Sequence, residues 1–238
     1  MPIFFEPNIK SNLYLNGEES RHAVKVLRLS ARDLIDVVDG NGGFYKAEII
    51  KPHEKKCELS ILEEIQNFGK KDFCIHLAIA PTKNLDRMEW MVEKSVEIGI
   101  DEISFLQTRY SERKEIKIAR LEKIAISAMK QSQKAMLPKL NEMQKLANFL
   151  TQIQSQTTTQ KFIAHLEEGE RKSLAQIANK NANYCVLIGP EGDFSPEEIK
   201  KAIQNDFQAV TLGKSRLRTE TAGLYACTVL NFINENYQ

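Results

Sequence analysis

The stretch "LIGPEGDFSPEEI", residues 187–199, indicates an α/β fold, because an apolar run ends there in a Gly-Pro-Glu-Gly turn and a helix start follows at once. Ser195 is a typical N-cap residue, Pro196 suits the first helical position, and Glu198 completes a capping box. The stretch therefore predicts a buried strand that leads through a tight turn into a helix. Such a turn lies at the carboxyl end of a strand, where open α/β sheets bind ligands.

Outward from this stretch, apolar runs alternate with segments of helical periodicity from about residue 74 onward. Alternation of this kind is typical of βαβ units around a parallel sheet. The predicted strands are 74–80, 103–107, 161–166, 184–188 and 209–212, and the predicted helices are 84–99, 117–135, 142–154 and 220–234.

The first part of the chain has a different pattern, with short apolar runs such as "LIDVVDG" and "FYKAEII" separated by polar turns. This pattern predicts a small β-barrel or sandwich. The polar segment "NFGKKD", residues 67–72, is the predicted linker. We therefore expect an α/β fold with two domains, a small β-barrel over residues 1–70 and a parallel-sheet domain over residues 71–238.

The composition of the 238 residues, with 42% hydrophobic and 27% charged side chains, is that of a globular protein and excludes a disordered or collagen-like chain. The apolar runs are far shorter than the roughly 20 residues that a bilayer requires, and the first residues lack the pattern of a secretory signal. We therefore expect a cytoplasmic protein without a membrane partner. The four cysteines form no C-x-x-C pair, so we expect no metal site.

Positive charge is concentrated locally, although the net charge is only +1. Between residues 109 and 145 the chain has ten Lys or Arg against four Glu, and "SRHAVKVLRLS", residues 20–30, predicts a short helix with one basic face. Two interpretations remain open for both segments: a solvated helix face, or a surface that contacts nucleic acid.

The second stretch with side chains suited to a functional site is "VTLGKSRLRTETAGLYACTVLN", residues 210–231. In it a strand end, a cationic loop and an apolar helix follow one another. Thr219 is the predicted N-cap of that helix. Arg218 and Glu220 lie beside its start, either as an ion pair and a helix-dipole carboxylate or as a substrate-orienting cation and a proton acceptor. Glu191, at the tip of the first turn, contributes nothing to packing in this interpretation and is free to contact a ligand.

Taken together, these stretches resemble one family, the bacterial 16S rRNA (uracil-1498-N3)-methyltransferases of the SPOUT class. "LIGPEGDFSPEEI" and "LGKSRLRTETAGL" resemble its two signature motifs, while "MEWMVEKSVEIGI" and "QTRYSERK" resemble its first helix and the loop after its second strand. "RHAVKVLRL" and "VVDGNGGFYKAEI" resemble its N-terminal PUA-like domain. The resemblance implies a trefoil-knot α/β domain, a homodimer, S-adenosylmethionine as cofactor, and 16S rRNA of the 30S ribosomal subunit as partner.

The resemblance also implies roles for individual residues. Arg218 and Glu220 are the implied catalytic pair. The implied cofactor-binding residues are His165, Leu166, Glu167, Ile188, Gly189, Pro190, Glu191, Gly192, Leu212, Gly213, Ser215, Leu217, Thr219 and Ala222. The implied RNA-binding residues are Arg21, His22, Lys25, Arg28, Arg109, Arg113 and Lys134.

Two segments depart from the family pattern. "KQSQKAMLPKL" has Lys134 where many relatives have a Gly-Arg pair, and "GKSR" differs from the common Gly-Pro-Arg form. Both departures affect individual RNA contacts rather than the reaction. Two alternatives to the implied function remain: a catalytically silent dimeric RNA-binding protein, and an enzyme of the same class that acts on a different RNA.

Overall fold

The computed structural model describes residues 1–167, 169 and 171–235. The chain forms two compact units, Met1–Lys70 with Ile126–Leu137, and Lys71–Ala125 with Pro138–Gln238. The single predicted boundary at residue 70 would place Ile126–Leu137 in the second domain, whereas this segment belongs to the first compact unit. In the structure the Gly42 N–H instead donates to the Ala135 carbonyl at 2.9 Å, within the first unit. The functional division of the chain at residue 70 stays a prediction.

The first unit contains a five-stranded sheet in the order β1-β3-β4-β5-β2, in which only the β1 and β3 pair is parallel. Alternate residues of the fourth strand, Tyr45, Ala47 and Ile49, are fully buried, as expected for a strand with one face on a core. The predicted small β-barrel is confirmed. Its strands are β1 Ile3–Phe5, β2 Tyr14–Leu15, β3 Leu34–Val38, β4 Phe44–Lys51 and β5 Cys57–Ile65.

The helix predicted in "SRHAVKVLRLS" is also present. Helix α1, Ile9–Asn12, precedes it, and α2, Gly17–Arg21, continues into a π-helical turn, His22–Val26. The Asn16 side chain caps α2, because its oxygen accepts hydrogen bonds from the N–H groups of the second and third helical residues. Arg28, at φ 56°, then adopts a left-handed backbone conformation.

The second unit contains a six-stranded sheet whose strand pairs are all parallel, as predicted. The strands are β6 Ile75–Ile79, β7 Glu102–Gln107, β8 Lys139–Lys145, β9 Thr159–Ala164, β10 Asn183–Ile188 and β11 Gln208–Val210. Their order is β11-β9-β10-β6-β7-β8. The central strand β10 is buried from Tyr184 to Ile188, which explains its uninterrupted apolar sequence.

Helices cover both faces of this sheet. The helices of the second unit are α3 Leu85–Ile98, α5 Leu146–Ile153, α6 Leu174–Ile177, α7 Pro196–Gln204 and α8 Thr219–Asn234, while α4, Ile118–Gln131, has residues in both units. Phe149 of α5 and Ile199 of α7 pack with Ala78 on one face. On the other face α8 approaches so closely that a Cβ on Gly223 would lie 3.0 Å from the Ile79 side chain. No helix among the described residues is long and apolar enough to cross a bilayer.

One predicted element has the wrong start. The helix expected over 142–154 is present as α5, Leu146–Ile153, but the residues before Leu146 belong to strand β8, Lys139–Lys145. Strand β8 is the last strand of the sheet and pairs only with β7, so its sequence "KLNEMQK" is polar and lacks the apolar signature of a buried strand.

Candidate active site

A cavity of about 610 Å³ lies at the carboxyl ends of β9, β10 and β11, and three loops that leave these strands line it. Parallel sheets bind ligands at this edge. Its volume is in the range of small-molecule sites. The described residues that line the cavity are Arg87, Ala164, His165, Leu166, Arg171, Ile188, Gly189, Pro190, Glu191, Asp193, Val210, Thr211, Leu212, Gly213, Lys214, Ser215, Arg216, Leu217, Arg218, Thr219, Glu220 and Ala222.

The turn after β10 has the predicted geometry. The Ser195 N–H donates to Oε2 of Glu198 at 2.9 Å, and the Glu198 N–H donates to the Ser195 hydroxyl at 3.3 Å, which completes the capping box. A Cβ on Gly189 would lie 3.2 Å from the backbone carbonyl carbon of Asp193 and 3.2 Å from the Phe194 ring. A side chain at Gly189 would require these neighbours to move by a few tenths of an ångström, so the packing of the turn favours glycine, in addition to the expected close approach of a cofactor.

Glu191 has a structural contact that the sequence did not reveal. Its Oε1 accepts a hydrogen bond from the backbone N–H of Lys83 at 3.2 Å, so the carboxylate ties the turn to the loop after β6. The interpretation that Glu191 contributes nothing to packing is wrong, although the residue does line the cavity. Gly192 lies outside the lining residues and packs against Tyr110, whose Cβ would be 3.0 Å from a Cβ added at Gly192.

The loop after β9 brings His165 and Leu166 to the cavity. The Leu166 N–H donates to Oδ2 of Asp193 at 2.7 Å, which fixes this loop on the β10 turn. The guanidinium of Arg171 lies 2.7 Å from Nδ1 of His165. Burial, and then the Arg171 cation, lower the pKa of His165 below its usual value, which favours a neutral ring. Glu167 is exposed and lies outside the lining residues.

The loop after β11 and the first turn of α8 bring the rest of the predicted cofactor set to the cavity. Leu212, Gly213, Ser215 and Leu217 lie in the loop, and Thr219 and Ala222 lie in the helix. Gly213 has φ 112°, a conformation that side chains disfavour, and its carbonyl accepts a hydrogen bond from the Thr211 hydroxyl at 2.9 Å. The N-cap of α8 is Arg218, one residue before the predicted Thr219, and its side chain makes no capping bond.

The carboxylate of Glu220 is the most unusual group in the cavity. The residue is only 6% exposed and lies in the first turn of α8, where the helix dipole favours negative charge. Its Oε1 is 3.8 Å from Nε of Arg87, and its buried Oε2 has no hydrogen-bond partner among the described residues. A buried acceptor without a partner requires an explanation, and a bound ligand with a donor or positive charge supplies one. Arg218 lies beside it and is exposed.

Arg87 and Arg171 line the same cavity, and the sequence did not single them out. Arg87 belongs to α3, which packs beside α8, so only the tertiary fold brings it to Glu220. No local motif marks it. Among the described residues no group of three His, Cys, Asp or Glu side chains is arranged to hold a metal ion.

The predicted RNA-binding residues fall into two sets. In the first unit Arg21, Lys25 and Arg28 are exposed and His22 is partly buried, and Lys25 pairs with Glu54 at 3.0 Å. Lys134 also belongs to this unit.

The second unit carries Arg109 and Arg113 on the loop after β7. Arg109 is exposed, whereas the Arg113 guanidinium donates to the Lys83 carbonyl at 2.5 Å.

The sequence and the architecture match known proteins over nearly the whole chain. An RNA methyltransferase domain family matches residues 70–231, and an RNA methyltransferase PUA domain family matches residues 15–62. A protein of Mesomycoplasma hyopneumoniae named ribosomal RNA small subunit methyltransferase E is 31% identical, with 94% of this chain and 96% of the relative covered. The relative of the same name from Buchnera aphidicola (strain APS) is 29% identical, over 96% and 91% of the two chains.

Solved structures agree with these relatives. A probable rRNA-methyltransferase from Porphyromonas gingivalis is 40% identical, with a TM-score of 0.92 and 98% of both chains covered. Ribosomal RNA small subunit methyltransferase E from Neisseria gonorrhoeae, bound to S-adenosylmethionine, is 28% identical, with a TM-score of 0.88 and 100% of both chains covered. The expected fold class, an α/β-knot methyltransferase domain with a PUA-like domain before it, is confirmed. The chain belongs to the ribosomal RNA small subunit methyltransferase E family of S-adenosylmethionine-dependent enzymes.

Proposed function

We propose that this protein transfers a methyl group from S-adenosylmethionine to N3 of uridine 1498 in the 16S rRNA of the small ribosomal subunit. Family membership supports the reaction class, and one observation supports the position of the chemistry. That observation is the buried Glu220 carboxylate, with one oxygen unpaired among the described residues, in a cavity at the ends of three parallel strands.

S-adenosylmethionine supplies an electrophilic methyl group when it is bound. The three loops that line the cavity would hold it, mostly through backbone groups and through the side chains of Leu212 and Leu217. Gly213 leaves open space on its Cβ side, where a ligand has room to lie against the backbone. Gly192, which was in the predicted cofactor set, packs against Tyr110, and Glu167, from the same set, is exposed outside the lining residues.

The residues that act on the base are Arg218 and Glu220. N3 of a neutral uridine carries a proton, which must leave as the N–C bond to the methyl group forms. We assign Glu220 to accept that proton and Arg218 to polarise the neighbouring carbonyl, which stabilises the charge that develops on the uracil ring. Arg87, 3.8 Å from Glu220, orients the carboxylate in this account.

The binding of RNA rests on the two sets of cations. We assign the first unit to an RNA-binding role as a PUA-like domain, with Arg21, His22, Lys25, Arg28 and Lys134. We assign Arg109 and Arg113 to RNA contact beside the cofactor loops. The active form is a cytoplasmic homodimer in this proposal, as the family resemblance implies. The mass of the protein in solution tests the homodimer, and localisation of the tagged protein in the cell tests the cytoplasmic location.

The experiment that tests the function is methyl transfer from labelled S-adenosylmethionine to purified 30S subunits and to naked 16S rRNA, both unmethylated at the target. We expect label in the RNA of one of these substrates. Transfer RNA and large-subunit rRNA are tested in parallel, and label in one of these but in neither small-subunit substrate would overturn 16S rRNA as the target. Cofactor binding without label in any RNA, or no cofactor binding, would overturn the proposal in favour of an RNA-binding protein without activity.

A further inference from the structure

Three loops of the second unit are bonded to one another beside the cofactor cavity. They are the loop after β6, the loop after β7 and the turn after β10. The Lys83 N–H donates to Glu191, the Arg113 guanidinium donates to the Lys83 carbonyl, and the Arg109 N–H donates to Glu198. The loop that carries two predicted RNA-binding cations is thus attached to the turn that lines the cavity.

Glu198 makes two backbone bonds at once. Its Oε2 accepts the N–H of Ser195 at 2.9 Å and completes the cap of α7, while its Oε1 accepts the N–H of Arg109 at 2.8 Å. A capping box needs only the first of these bonds. The second connects residues 89 positions apart in the sequence and has no role in the helix.

The hydrogen bond between the Arg109 N–H and Glu198 fixes the position of the next residue, Tyr110, as well as that of Arg109. The following side chain, Tyr110, packs against Gly192 and remains 47% exposed. The Arg109 guanidinium lies 5.9 Å from the centre of the Tyr110 ring. An exposed aromatic ring beside an arginine is a surface suited to nucleic acid, because bases stack on both groups.

We propose that Glu198 is a positioning residue, which holds the Arg109–Tyr110 pair against the cofactor turn so that the pair contacts the RNA substrate. The inference rests on the proposed function, because it takes RNA as the ligand. Glu198 itself is an anion and repels phosphate. A neutral residue in place of Glu198 should therefore strengthen RNA binding if only the charge of Glu198 acts on the RNA. The same replacement should weaken RNA binding if Glu198 acts by holding the Arg109–Tyr110 pair in position.

The variant that separates the two bonds is Glu198→Gln. Glutamine also completes a capping box, because its carbonyl oxygen accepts the Ser195 N–H. Its amide nitrogen cannot accept the Arg109 N–H, so the variant loses the bond to the loop and keeps the cap. Glu197→Gln is the matched control, because it removes the same charge one residue earlier from an exposed position in the same helical turn.

We expect Glu198→Gln to raise the Kd and KM for 16S rRNA or 30S subunits about tenfold, the effect of losing one hydrogen bond to a charged group. The kcat at saturating RNA and the Kd for S-adenosylmethionine should stay within about twofold of the wild type, because the cap and the turn remain in place. Amide hydrogen exchange at residues 108–113 should accelerate in this variant only. Glu197→Gln should leave RNA affinity unchanged or slightly higher.

Equal RNA affinity in the two variants would overturn the inference, and so would a parallel loss of cofactor affinity in Glu198→Gln. These results are independent of the proposed reaction. A wild-type enzyme that binds the RNA without methylating it contradicts the proposed function, whereas an active wild-type enzyme whose two variants behave alike contradicts only the role of Glu198.

Discussion

The Nε atom of Arg87 lies 3.8 Å from Oε1 of the buried Glu220 carboxylate, and the two residues come from helices that pack side by side on one face of the parallel sheet. Strand β6 leads to the first helix and strand β11 to the second, so both side chains reach the carboxyl edge of the sheet. The pair combines a negative charge shielded from water with a neighbouring cation. This arrangement suits a carboxylate that must bind a polar ligand or take up a proton.

Replacing the Glu220 carboxylate with an amide tests its assignment as proton acceptor. Glu220→Gln keeps the size of the side chain but removes its basicity, so we expect kcat to fall by about 10²-fold to 10⁴-fold. Single-turnover methyl transfer at saturating RNA and cofactor measures this step. Turnover equal to that of the wild type, in a variant whose thermal unfolding is unchanged, would contradict the assignment.

Arg218 should contribute to the rate through the charge that develops on the base. We expect Arg218→Gln to lower kcat by about 10²-fold, as the loss of one donor to a developing anion does in other enzymes. Arg216→Gln is the control, because Arg216 is also exposed and also lines the cavity. Equal rates in the two variants would mean that Arg218 supplies only general positive charge.

The cofactor turn should tolerate no side chain at Gly189. A Cβ there would lie 3.2 Å from the backbone of Asp193, so Gly189→Ala must shift the turn, and we expect the Kd for S-adenosylmethionine to rise about tenfold. Gly17→Ala is the control, since its Cβ would meet its nearest atom at 3.9 Å. Calorimetric titration measures the Kd for S-adenosylmethionine in the two variants. Equal values would contradict the prediction, because the turn would then accommodate the added Cβ without loss of affinity.

A buried histidine outside the cavity should make the stability depend on pH. Burial lowers the pKa of His76 below 6.5, against the opposing effect of the Glu102 carboxylate, whose Oε2 is 3.9 Å from Nδ1. The unfolded chain therefore binds a proton near pH 6.5 that the folded chain resists, and the free energy of unfolding falls as the pH drops below that value.

Replacing His76 removes the part of the pH dependence of the unfolding free energy that this residue causes. We expect His76→Asn to show a smaller loss of unfolding free energy than the wild type when urea denaturation is compared at about pH 7.5 and about pH 5.5. Some dependence should remain, because the pKa of His165 is also lowered by burial. His53→Asn, at an exposed position, should keep the wild-type slope. An unchanged slope in His76→Asn would contradict the prediction.

The arginines of the first unit should bind the RNA through its backbone phosphates. We expect the double variant Arg21→Gln, Arg28→Gln to bind 16S rRNA more weakly and with a salt dependence whose slope is smaller by about 1 to 2, because fewer counterions are released. Its affinity for S-adenosylmethionine should equal that of the wild type. A salt dependence identical to that of the wild type would remove both residues from the RNA surface.

Local chemistry explains why much of the fold was predictable. Strand β10 is apolar from Tyr184 to Ile188 because these residues are buried. Helix α7 begins at Pro196 because the sequence supplies an N-cap serine, a proline and a glutamate in the right order. Strand β8 was missed because an edge strand needs little apolar surface, and its polar sequence matches a helix as well as a strand.

The site was predictable where it follows strand ends and unpredictable where it depends on tertiary contacts. The predicted cofactor segments, Ile188 to Gly192 and Leu212 to Leu217, lie at the ends of their strands. The cofactor residues predicted within them line the cavity except for Gly192, which packs against Tyr110. Arg87 reaches Glu220 only because α3 and α8 pack together, and Glu191 reaches Lys83 only because β6 and β10 are neighbours in the sheet. No local pattern encodes such contacts. The knotted path of the chain likewise leaves no trace in periodicity.

Mapping of the methylated base shows whether the protein modifies N3 of uridine 1498. After incubation of the protein and S-adenosylmethionine with 30S subunits that lack the modification, the 16S rRNA would be digested and its fragments analysed by mass spectrometry. Our account predicts one new methyl group, on N3 of uridine 1498, which is absent when the Glu220→Gln variant replaces the wild type. A methyl group on another base or another atom would contradict the account, and so would an unmodified 16S rRNA.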